Sequence, residues 1–342
     1  MKEKQVVKRV QPRDIEMLHM LYQYRALSTQ QLMRHFQMTS QYAHKKTHIM
    51  RNSNWIKSLP ILSEKGRKVG AYHSLTEGGI SLIKKQGITA EQKAEELRVT
   101  RRFLPYLLSA NDLMIDLAPF GWTMRDSREI KSMYGLNRGN NIHGSLTSSE
   151  GIEYGFYIFM SRSLPKYIMK VVREIKESAM HNFIIFTKGQ ASFSDFVAEA
   201  AIPGKEVVTG GSLKVMPYTF GKTYLQFMAN EQHMLGVLSA HNITPLSEKP
   251  PLYSSFDRIV HHDGEEKYLV SLLDTDLMKI YSLKRYRKEA FDRDQRRILI
   301  LTHMKEFHQE LLKDVHHLDY EEVHPSEIQA DGTITSQKGM SI

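Results

Sequence analysis

Gln41, His44, Lys45, His48 and Arg51 recur three and four residues apart, the spacing that lines side chains along one face of a helix. Amide, imidazole and cationic groups in such a row can bond base edges in a major groove or hold phosphates. Gln41 and His44 fall in the first turns, where a helix entering a groove meets bases, and glutamine can bond adenine bidentately. Ser40, Lys45, Lys46 and Arg51 suit phosphate contacts. So do Lys65, Arg67 and Lys68 in the run Ser63-Glu64-Lys65-Gly66-Arg67-Lys68. The plain alternative is a solvated helix face that carries charge to no purpose.

The elements that must position these groups are legible around them. Helical periodicity over residues 13–24 puts Ile15, Leu18 and Leu21 on one side. Ser28 or Thr29 caps a short second helix that turns Leu32, Met33 and Phe36 inward. Thr39-Ser40 caps a third, through Arg51, which packs by Tyr42, Ala43, Thr47, Ile49 and Met50. Strands at 55–59 and 71–75 flank a charged loop at 63–70, and Thr76 caps a helix over 77–86. Three helices, a basic hairpin and a helix make the order of a winged helix-turn-helix, with the third helix in a major groove and residues 65–68 as the wing. Such modules also serve as protein-interaction domains.

Charge separates the readings. Residues 1–86 hold 16 Lys and Arg against 5 Asp and Glu, a surplus of 11, whereas the remainder holds 31 against 33. The whole excess of the chain, formally +9, therefore sits on the basic module. Clustered basicity is the electrostatic footprint of a polyanion, here double-stranded DNA. No apolar run reaches the ~20 residues needed to span a bilayer, and the amino terminus does not read as a signal peptide, so no membrane partner is expected. The chain has no cysteine, which removes disulfides, thiolate catalysis and cysteine zinc sites and fits a cytoplasmic protein.

The domain boundaries expected are a winged helix at 1–87, a linker and amphipathic helix at 88–121, α/β units at 122–245 and 246–324, and a disordered tail at 325–342. Asn111 and Asp112 are expected to face solvent, with a buried polar role on this mostly apolar helix as the alternative. An extended segment is expected from Trp122 to Lys131, then a Gly-, Asn- and Ser-rich loop at 135–149. The order strand, helix, strand, helix, strand then occurs twice, first at 156–160, 165–178, 183–187, 193–201 and 213–218. The second copy follows a hairpin around His262-Asp263-Gly264-Glu265. The fold class expected is thus mixed α+β, a winged helix followed by two similar β-α-β-α-β units.

Catalytic patterns are weak. A restriction-endonuclease type of metal site needs an Asp and a Glu-x-Lys on neighbouring strands. Glu129-Ile130-Lys131 fits on an expected strand, with Asp116 or Asp126 upstream, whereas Glu174-Ile175-Lys176 falls in a helix. The strand at 156–161 has no acid, and Asp274 and Asp276 lack a lysine two residues on. The adjacent pairs His261-His262 and His316-His317 point to opposite faces of a strand and chelate poorly. Phosphate-binding and dinucleotide loops are absent. No cofactor and no metal is expected.

The run Gln11-Pro12-Arg13-Asp14-Ile15-Glu16-Met17-Leu18, the turn Leu27-Ser28-Thr29-Gln30-Gln31-Leu32 and the helix start Leu75-Thr76-Glu77-Gly78-Gly79 resemble the replication-relaxation family of Gram-positive plasmids and mobile elements. So do Ser109-Ala110-Asn111-Asp112-Leu113 and the later Gly121-Trp122. The resemblance covers about the first 130 residues. It implies a winged helix joined to a restriction-endonuclease-like domain, and a role in replication, transfer or maintenance of an element. Where many such proteins place an acid after the hairpin strand, this chain has Met160-Ser161-Arg162. The reading is a non-enzymatic, sequence-specific DNA-binding protein, expected to be a homodimer and a companion of replication or transfer proteins. The alternatives are a transcriptional regulator of the element, a metal-dependent nuclease and a protein scaffold.

Overall fold

The structure, a computed structural model, describes residues 9–63, 65–246 and 251–329. Residues 1–119 and 120–342 form two compact units. Both mix helices with β-sheet, and the described residues contain three sheets. No helix among them is long and apolar enough to cross a membrane.

The first unit runs α1 (Pro12–Tyr24), β1 (Leu27–Ser28), α2 (Thr29–His35), α3 (Ser40–Asn52), β2 (Ile56–Leu62), β3 (Lys68–Leu75), α4 (Glu77–Lys85) and α5 (Leu104–Leu117). Its sheet has the order β1-β3-β2, antiparallel throughout. Side-chain caps set the helix starts. Ser28 Oγ accepts from Gln31 N at 3.1 Å while Gln31 Oε1 accepts from Ser28 N at 2.8 Å. Thr39 Oγ1 accepts from Tyr42 N at 3.3 Å, and Thr76 Oγ1 from Gly79 N at 3.3 Å. Met17, Leu18, Leu21, Leu32, Ala43 and Met50 are fully buried and lock the first three helices together. At Gly79 a Cβ would stand 2.2 Å from the carbonyl oxygen of Trp55, so only glycine lets α4 approach this close.

Two expectations change here. Tyr42 is 40% exposed, on the rim of α3 and not in the core. Asn111 is buried: its Nδ2 donates to the carbonyls of Tyr24 (3.2 Å) and Ala26 (2.7 Å), across the turn where Arg25 takes a φ of 64°. Asp112 receives Gln31 Nε2 at 3.1 Å and pairs with Arg34. These polar groups fasten α5 to α1 and α2. A buried amide that satisfies two main-chain carbonyls is stabilising where an unpaired one would cost ~1–3 kcal/mol.

The second unit contains two five-stranded sheets. The first is built from β4 (Thr123–Asp126), β5 (Gly144–Thr147), β6 (Glu153–Phe159), β7 (Phe183–Thr187) and β8 (Leu213–Pro217), in that order. Interleaved are α6 (Ser127–Met133), α7 (Pro165–Lys176) and α8 (Gln190–Ala200). After α9 (Tyr218–Met228) and α10 (Glu231–Ala240) come β9 (Thr244–Pro245), β10 (Arg258–His262), β11 (Glu265–Ser271), β12 (Ile298–Thr302) and β13 (Leu318–Glu322). They form the second sheet, again in sequence order, with α11 (Leu277–Arg285), α12 (Lys288–Asp294) and α13 (Lys305–Leu311) between strands. In each sheet the first three strands pair antiparallel and the last two join in parallel. Each has one crossover helix region before its fourth strand and another before its fifth, so the two sheets are topological copies.

Four local expectations change. Residues 127–133 are helix, because Asp126 accepts from Arg128 N and Glu129 N while Glu129 accepts from Asp126 N, a reciprocal cap. The expected loop at 135–149 contains β5, which extends the antiparallel part of the first sheet. The second sheet begins at Thr244, ahead of the boundary at 246. Of the expected disordered tail, residues 325–328 form a short 3-10 turn, and residues 330–342 lie outside the described residues.

Candidate nucleic-acid interface

The buried side of α3 is Ala43, Thr47 and Met50. Helical geometry then forces Ser40, Gln41, His44, Lys45, His48 and Arg51 outward, and all six are exposed. His48 accepts Arg51 Nη2 at Nδ1 (2.8 Å) and lies 3.1 Å from Asn52 Nδ2, so those three side chains form one polar group at the end of α3. The side chains of Gln41, His44 and Lys45 meet no hydrogen-bond or ion-pair partner among the described residues.

Lys46 behaves differently from its neighbour. Its Nζ pairs with the fully buried carboxylate of Asp14 on α1, and its side chain is only 11% exposed. Asp14 also accepts from Gln11 N at 3.0 Å. The structure therefore turns Lys46 inward, as a strut between α1 and α3, and away from the face that Lys45 shares.

The β2–β3 hairpin carries the second group of cations. Ser63 N donates to Arg67 O at 2.8 Å, Ser63 Oγ accepts from Arg67 N at 3.1 Å, and Gly66 supplies a φ of 75°. This tight loop leaves Lys65, Arg67 and Lys68 exposed, again without a side-chain partner among the described residues. Strand pairing continues to Lys68, with an irregularity at Ile61/Leu62, so the hairpin is longer than the sequence suggests. Beneath it, His73 is buried between Thr29 Oγ1 (2.9 Å from Nε2) and Ser58 Oγ (2.9 Å from Nδ1). Burial, reinforced by His44 and Arg51, pushes its pKa down to about 4. A neutral imidazole thus joins α2 to the hairpin.

The groups considered for metal chemistry are dispersed. Glu129 and Lys131 lie on α6, the former as a cap and the latter donating to Arg138 O at 3.2 Å. Glu174, on α7, accepts from Asn141 N (2.7 Å) and Nδ2 (2.8 Å). His317 stacks on Phe291 at 3.6 Å. Among the described residues no three His, Asp or Glu side chains converge as a metal-holding set.

One charged cluster joins Asp274 and Asp276, weighed above only as metal ligands, to a lysine the sequence reading does not single out. Lys214 on β8 and Asp274 beyond β11 form a buried ion pair at 2.6 Å. Asp276 caps α11 through Met278 N (3.0 Å) and also accepts Leu213 N (3.2 Å). The main chain adds Val215 N to Asp274 O at 2.9 Å, and Lys279 pairs with Asp257 at 2.6 Å. Burial alone would raise the Asp274 carboxyl, but Lys214 and then Lys279 hold it below the usual range. Burial and the neighbouring Asp274 push Asp276 the other way. The available signal was Lys214 itself, a lone charge inside the apolar strand Leu213-Lys214-Val215-Met216. The cluster clamps the two sheets to each other.

No family model, curated protein or solved structure matches the chain.

Proposed function

We propose that this protein binds double-stranded DNA sequence-specifically, with residues 12–85 acting as a winged helix-turn-helix. In this reading α3 enters the major groove and the 63–67 loop lies along the backbone as the wing. The observation that carries the reading is the pattern of exposed cations. Lys45 and Arg51 on α3, with Lys65, Arg67 and Lys68 on the hairpin, face outward and have no carboxylate partner among the described residues. Each phosphate such a cation neutralises releases condensed counterions, a gain that needs no base contact. Gln41 and His44, at the exposed start of α3, would add base readout.

The α/β repeats, taken as degenerate restriction-endonuclease-like units, would serve homodimer assembly and not catalysis. Their best-placed acids, Asp274 and Asp276, are engaged by Lys214 and by main-chain N–H groups, which supports that assignment. The resemblance noted above favours a role in replication, transfer or maintenance of a mobile element. Selection of duplexes from a random library by the full-length protein tests the reading. It should enrich one motif, and replacing Gln41 or His44 by Ala should cost ~1–3 kcal/mol on that motif and little on random DNA. No enriched motif would contradict sequence-specific binding.

A further inference from the structure

The first unit has a second surface, unlike the cationic one. A groove of about 1130 Å³ runs between the β2–β3 hairpin and residues 94–108. Its floor follows from strand alternation. Leu59 pairs with Tyr72 and Lys57 with Ser74, so these side chains and Ile61 share one sheet face. Ile56 and His73 belong to the other face; His73 bonds Thr29 of α2, so that face is turned toward the helices. The groove thus opens on the side of the hairpin that does not face α2.

Leu59, Ile61, Tyr72 and Leu108 lie half-buried along the groove. The rim is cationic. Lys57, Arg98 and Arg101 are exposed there, their side chains have no partner among the described residues, and Glu95 is the one acid lining the groove. An apolar trough edged by three cations and one anion complements an apolar segment flanked by carboxylates. A phosphate backbone would match the rim and leave the floor unused.

We propose that this groove docks an acidic amphipathic segment of a partner protein, with large apolar side chains on Leu59, Ile61 and Tyr72 and carboxylates at Lys57, Arg98 and Arg101. The apolar floor supplies affinity, and the rim selects sign and speeds encounter. Because the site lies off α3 and the 63–67 loop, a bound segment leaves the DNA-facing groups uncovered, and the inference stands whether or not DNA is the ligand of α3.

The test is selection of peptides of about twelve residues from a random display library on the full-length protein. The chosen peptides are then measured against a floor variant, Leu59→Asp with Ile61→Asp, and a rim variant, Arg98→Glu with Arg101→Glu. The expected peptides combine large apolar residues with Asp or Glu, and lose at least about tenfold in affinity on either variant. Thermal unfolding checks that both variants fold, and the rim variant, wholly at the surface, stands as the readout if the floor variant does not. No enriched peptide, peptides without acids, or equal binding to wild type and the rim variant would overturn the proposal.

Discussion

The outward face of α3 and the junction of the two α/β sheets are both built from charges, and they use them in opposite ways. On α3 and the hairpin, Lys45, Lys65, Arg67 and Lys68 stand in solvent with no opposite charge beside them among the described residues. At the junction, Lys214 and Asp274 are almost wholly buried and paired, and Asp276, buried beside them, accepts main-chain N–H groups. An exposed cation contributes little to folding and keeps its charge available to a partner. A buried pair is costly to desolvate and far costlier to break, so its members are committed to the fold. Burial and pairing thus distinguish charges that hold the molecule together from charges that can hold something else.

The junction gives the largest way to break this contrast. Lys214→Ala leaves Asp274 buried without its partner and is expected to lower stability by ~3–5 kcal/mol. Urea unfolding of the full chain measures it. Lys214→Met combined with Asp274→Leu should recover most of the loss, since an apolar pair removes both desolvation costs. A single variant as stable as wild type would mean that the clamp carries no weight.

Lys45 and Lys46 make the same contrast between adjacent residues. Lys46→Ala orphans the buried Asp14 carboxylate and should cost ~2–4 kcal/mol of stability. Lys45→Ala should leave unfolding within about 0.5 kcal/mol of wild type and weaken binding to all duplexes alike. If the two substitutions act alike on both stability and DNA affinity, the division by burial is wrong.

His73 sharpens the comparison through pH. Its folded pKa, near 4, lies below the ordinary histidine value of 6.5, so the unfolded chain binds the proton first. The stability it contributes is complete above pH 6.5 and is lost as pH falls toward 4, on the order of 3 kcal/mol. His73→Gln, which cannot titrate, should flatten the fall in melting temperature over that window relative to wild type. An unchanged pH dependence would place the acid sensitivity elsewhere, for example at His308, which burial pushes down to about 3.

What the sequence disclosed follows the range of the interactions. The outward face of α3 was legible because helical spacing is local, and so was the repeated strand-helix order, which apolar runs mark out. The extended segment expected to reach Lys131 ends at Asp126, because Glu129, three residues after Asp126, completes a cap that starts a helix. Long-range pairing was out of reach. Nothing near Lys46 announces Asp14, which stands 32 positions before it (46 less 14), and nothing near Lys214 announces Asp274, 60 positions on. The burial of Asn111 depends in the same way on carbonyls at the end of α1. Charges that serve as partners across the fold and charges that face solvent look the same in one dimension.

In the proposed function the exposed cations of α3 and the hairpin bind DNA. The most direct measurement is titration of the selected duplex with wild type and with the Lys45→Ala/Arg51→Ala/Arg67→Ala variant, at near-physiological salt and at several salt concentrations. Expected are a large loss of affinity in the variant, a salt dependence shallower by roughly one unit of slope per phosphate contact removed, and unfolding close to that of wild type. Equal affinity and equal slope for the two proteins would contradict the proposed function.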